Sequence, residues 1–133
     1  KIGDADEVAA IIGAPKVATM QALVTALHEK NTAAALEAIS TATKSQVDMK
    51  LFARVLLEHI RAVMLVRNQP AQKDQILAHF GTDTATLISD IAGGETSINS
   101  HMLLRFLQAT DQINRSPVPA LPLEIVIMEL GEK

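Results

Sequence analysis

A chain that reads RSPVPALPLEIVIMEL from Arg115 to Leu130 has few ways to fold. The prolines break the backbone into a joint, and the run after them carries apolar residues on every side of a helical wheel, so it needs cover from its own chain or from another. Locally, Ile125, Val126 and Ile127 favour a strand, because β-branched side chains suit the pleated backbone. A lone strand would leave its amides and carbonyls unpaired on both edges. The rest of the sequence is dominated by Ala, Leu, Glu, Gln and Lys and offers no partner strand. The reading is therefore a buried helix, with Pro122 in its first turn, where a missing amide proton costs little.

The length of 133 residues and the 48% apolar content suit one ordinary domain with a proper core. The absence of cysteine removes disulfides, thiolate nucleophiles and cysteine-based metal sites, and it fits a reducing, cytoplasmic compartment. No stretch approaches the roughly 18 apolar residues that cross a bilayer, so no membrane role is expected. Lys1 stands where a methionine would begin a protein, which points to a piece of something longer. With a net charge of −3, three Phe and no Tyr or Trp, the chain is not expected to grip nucleic acid directly through basic grooves and stacking platforms.

Punctuation divides the chain into helical periods. Residues 1–15 read as a short opening helix, with Asp4 and Glu7 spaced as in a capping box and a stop at Gly13. Residues 16–67 read as a three-helix core. Its first helix, about Lys16 to Lys30, carries Val17, Met20, Leu23, Val24 and Leu27 at threes and fours; Asn31 caps the second, which carries Leu36 and Ile39. Asp48 opens the third and longest, running to about Arg67. There Leu51, Phe52, Val55, Leu56, Ile60, Val63 and Met64 cover most of the circumference, while Arg54, Glu58 and Arg61 leave a narrow polar stripe flanked by His59. Residues 71–94 give two short helices, about Ala71 to Phe80 and Asp83 to Ala92, separated at Gly81 and stopped at Gly93 and Gly94. Residues 97–133 give a long helix to Arg115, with Ile98, Met102, Phe106, Ala109 and Ile113 inside, then the buried C-terminal helix. The fold class is all-α, a compact bundle of about seven or eight helices.

Chemical motifs are sparse. There is no GxxxxGK[ST] loop to cradle phosphate and no GxGxxG. His28, His59, His79 and His101 form no i, i+4 metal pair, and no HExxH is present. Glu58, Asp111, Glu124 and Glu129 lie on helices without a recognisable nucleophile or base, so solvated faces and local ion pairs are the better reading. Asn114-Arg115-Ser116 matches a glycosylation acceptor, but Pro117 directly after it and a cytoplasmic address argue against its use. Lys50, Arg54, Arg61 and Arg67 share a helix, yet Glu58 interrupts them and a solvated face fits better than a phosphate track. No catalytic residue, cofactor or metal is expected.

Taken together, the opening DADEVAAIIGAP, the helix pair, the central FARVLLEHIRAVMLVR and the RFLQATDQINRSPVPALPLEIVIMEL ending resemble one family. They resemble the third, helical domain of the bacterial DNA polymerase III gamma/tau subunit, the ATP-driven sliding-clamp loader. Nearly the whole chain takes part, most clearly Phe52 to Arg67 and Phe106 to Leu130. Ala71 to Gly94 shows no family pattern, and IVIMEL departs from the family's more usual leucine- and arginine-rich ending.

The resemblance implies a collar, in which helical domains of the clamp-loader subunits pack in a ring and hold the ATPase modules together. Its partners would be the delta and delta-prime subunits and further gamma/tau copies, within the bacterial replisome. ATP and zinc belong to other domains of that family, so this segment is expected to be inert as an ATPase. On this reading some of Leu121, Ile125 and Met128 contribute to subunit contacts, with Arg54 and Arg61 as additional interface candidates. If the last helix were instead central to the bundle, it would be apolar all round without any partner. Two other classes stay open: a helical adaptor unrelated to replication, which would fail to bind clamp-loader subunits, and a small ligand-binding bundle, which would need a pocket with converging polar groups.

Overall fold

A computed structural model of the protein describes residues 14–132. The opening helix read from Asp4 and Glu7 lies outside them. The described residues form α1 (Val17–His28), α2 (Thr32–Lys44), α3 (Met49–Asn68), a 3₁₀ turn (Pro70–Gln72), α4 (Lys73–Ile76), α5 (Thr82–Ala92), α6 (Ser100–Thr110), a second 3₁₀ turn (Ile113–Arg115) and α7 (Leu121–Gly131). They include no strand, and Ile125, Val126 and Ile127 are helical.

Short polar side chains start three of these helices. Asn31 Oδ1 accepts from Ala34 N at 3.1 Å, Asp48 Oδ1 from Lys50 N at 2.9 Å and Leu51 N at 3.3 Å, and Asn99 Oδ1 from Met102 N at 2.9 Å. Each satisfies amides that no intrahelical carbonyl can reach. The joints after α1 and α2 each carry one residue in the left-handed region, Lys30 at φ 58° and Gln46 at φ 61°. Such a residue ends a helix abruptly and turns the chain back, which is why α1 and α2 pack as a hairpin. Asp48→Ala removes the cap of the 20-residue α3; a loss of about 1 kcal/mol is expected, measurable as a lower urea midpoint at unchanged m-value.

The core is one continuous cluster built around α3. Phe52, Leu56, Ile60 and Val63 of α3 share it with Leu23 and Val24 of α1, Ile39 of α2, Ile88 of α5, Phe106 of α6, and Leu123 and Ile127 of α7. Burying each such side chain contributes about 1.5–3 kcal/mol. α3 packs on α1, α5 and α6, whereas α7 lies against α6 and α2. At the C-terminal end of α3, Arg67 Nη1 donates to Gly94 O at 2.6 Å and to Ala92 O at 3.3 Å, tying down the carbonyls at the end of α5.

Several expectations are corrected. Val17 is exposed and not on the inner face. The helix expected from Ala71 to Phe80 is a 3₁₀ turn and a single α-turn. The long helix expected from Ser97 to Arg115 begins after Asn99 and stops at Thr110, although Ile98, Met102, Phe106, Ala109 and Ile113 are all buried as expected. His59 does not flank the polar stripe; it is buried. α7, expected to be buried, is buried on one side only.

Candidate subunit interface

The joint that delivers α7 is held by its own polar groups. Ser116 Oγ donates to Val118 O at 2.6 Å and accepts from Val118 N at 3.2 Å, and Leu121 N donates to Val118 O at 3.0 Å. Ala120 is buried just before the helix, so the entry point is fixed from below as well. From there Pro122, Leu123, Val126 and Ile127 turn inward. At 100° per residue the opposite side of the wheel holds Leu121, Ile125 and Met128, four and three residues apart. These three are 38%, 47% and 42% exposed. A helix with a fully apolar outer stripe is unusual on a protein surface, since water meets hydrocarbon there without compensation.

α6 forms one bank of this stripe. Arg105 Nη2 and Nε donate to Glu129 Oε1 at 2.6 and 3.0 Å, and its Nη1 donates to Gln108 Oε1 at 2.6 Å. The ion pair is partly exposed, so it contributes on the order of 1 kcal/mol or less and serves mainly to orient the two side chains. Below it runs an open groove of about 330 Å³ between α6 and α7, walled by Gln108, Gln112 and Arg115 on one side and by Leu121 and Ile125 on the other. Leu104 and Leu107 are also exposed, on the outer face of α6.

At the other end of α7, Gly131 sits so close to the first turn of α2 that a Cβ there would meet the Thr32 hydroxyl. The helix is thus seated between α6 and α2 with its stripe facing outward. Arg54 and Arg61 stand exposed on α3, a helix that α7 does not pack against extensively. The five candidate residues therefore fall on two surfaces, not one.

The described residues also show what polar chemistry is present. His28 Nδ1 lies 2.7 Å from Thr96 Oγ1. That hydroxyl accepts from Ile98 N at 3.1 Å, and Ser97 N donates to His28 O at 3.4 Å, so the pair ties the loop before α6 to the end of α1. Among the described residues no three His, Asp or Glu side chains cluster as metal ligands, and no helix is long and apolar enough to cross a membrane.

Comparison with curated proteins found no match. The family model of DNA polymerase III subunits gamma and tau domain III matches residues 4–132, nearly the whole chain and every helix described above. An all-helical bundle ending in the proline joint and α7 agrees with that match, and the chain belongs to the family of DNA polymerase III gamma and tau domain III.

Proposed function

We propose that this chain is the collar domain of a gamma/tau-type clamp-loader subunit, a non-catalytic module that holds the loader's subunits together while the sliding clamp is placed on DNA. Membership of the family supports a clamp-loader-related role. The observation that carries the finer reading is the outward stripe of Leu121, Ile125 and Met128, an apolar surface built on a rigid, well-seated helix. Its partners are other clamp-loader subunits: delta, delta-prime and further gamma/tau copies. Arg54 and Arg61 offer a second, polar surface on α3, suited to the rim of a contact and not to its centre. In this role the domain needs no nucleotide or metal of its own, does not touch DNA, and works in the cytoplasm with the replisome.

Size-exclusion chromatography with light scattering, on the protein alone and then mixed with the delta and delta-prime subunits of its source, tests the reading. A mixed assembly is expected. Separate elution both here and with the complete gamma/tau subunit would overturn the collar role.

A further inference from the structure

Between α3 and α5 the chain folds back over α3 through residues 70–80. Its backbone hydrogen bonds are local: Gln72 N to Gln69 O at 2.8 Å, Leu77 N to Lys73 O at 3.0 Å and Phe80 N to Leu77 O at 3.1 Å. Side chains hold it to the rest, with Leu77 buried, Ile76 and Phe80 half-buried against the core, and Lys73 Nζ 3.4 Å from Ser89 Oγ. Phe80 meets the ring of His59 edge-on, with centroids 5.1 Å apart and planes at 76°. His79 lies against the same Phe80 ring, at 4.6 Å and 30°. His59 Nδ1 is 2.8 Å from Val55 O. A carbonyl can only accept, so Nδ1 carries the hydrogen and Nε2 is the atom left to take a proton.

We propose that residues 70–80 form an acid-released flap: protonation of His59 puts a charge on the ring that Phe80 covers, and the flap lifts while the other helices stay packed. Lifting loses a few apolar contacts and one weak tether. Hydrating His59 by opening α3 would instead expose Phe52, Leu56 and Ile60, so the flap is the cheaper route. The titratable groups near the ring are Glu58 on α3, which favours the protonated form, and His79 on the flap, which opposes it. Burial is the larger influence and holds His59 below the ordinary histidine value of 6.5. The closed flap therefore prefers neutral His59, while the lifted flap returns it to water. Closure is complete above about pH 6.5 and weakens as pH falls toward the closed-state value, by at most about tenfold per pH unit for one proton.

Hydrogen exchange read by mass spectrometry from about pH 7.5 down to about pH 5, corrected for the intrinsic exchange rate, tests this. Peptides covering 70–80 are expected to lose protection in acid, up to about tenfold per pH unit, while those of α6 and α7 keep theirs. His59→Leu, and His59→Gln as a second variant, should abolish the acid response. An acid response that persists in these variants, that vanishes in His79→Gln instead, or that spreads equally to α6 and α7 overturns the flap.

Discussion

Replacing Met128 by glutamate is expected to leave the protein folded and to abolish its assembly with other clamp-loader subunits. The side chain is 42% exposed, so in the free protein the new carboxylate reaches water and the fold should lose no more than about 0.5 kcal/mol. In an interface that covers the stripe, the same carboxylate would be buried without a partner. An uncompensated buried charge costs about 3 kcal/mol or more, which is over a hundredfold in Kd. Ile125→Glu, one turn earlier on the same stripe, should behave alike. Circular dichroism establishes the fold, and co-elution with delta and delta-prime reads the assembly. If both variants still co-elute with those subunits, α7 is not the contact. If they unfold, the stripe supports the core and the apolar surface has no partner to explain.

Much of this architecture is legible in the sequence, for identifiable reasons. Helix starts marked by Asn31 and Asp48 could be read because a cap is a local device, with the side chain bonding amides two and three residues on. The helical state of Ile125 to Ile127 followed from the absence of any partner strand. Which side of α7 faces out was not legible as burial: when both faces are apolar, periodicity has no phase, and only packing between α6 and α2 sets it. The proline joint could be read; the groove beside Leu121 and Ile125, walled on its other side by Gln108, Gln112 and Arg115, could not. His59 was misplaced for a similar reason. It lies one residue beyond Glu58 on the wheel, and its burial depends on Phe80, 21 positions away, folding back after a 3₁₀ turn. The signal that could have raised it was Pro70, which sets up such a turn and interrupts the helical pattern.

Phe106→Ala is expected to destabilise the protein by about 3–5 kcal/mol, a large share of the roughly 5–15 kcal/mol that holds a domain of this kind together. The ring is 1% exposed and belongs to the cluster that joins α6 to α3 and α7. Truncation there removes the transfer energy of the ring and leaves a cavity lined by neighbours already fixed in place, which relax only partly. The next residue supplies the contrast: Leu107 is 54% exposed, and its replacement by alanine should change stability by no more than about 0.5 kcal/mol. At roughly 4 °C per kcal/mol the first variant should melt some 12–20 °C lower and the second within a few degrees of the parent. Hydropathy alone ranks the two side chains as near equals and only their places on the wheel separate them, so equal losses would mean that α6 is rotated from the orientation described. Because α7 rests on α6, Phe106→Ala should also weaken assembly, in step with unfolding as temperature rises. Met128→Glu should weaken it at every temperature at which the protein is folded. That difference separates a residue that builds the platform from one that meets the partner.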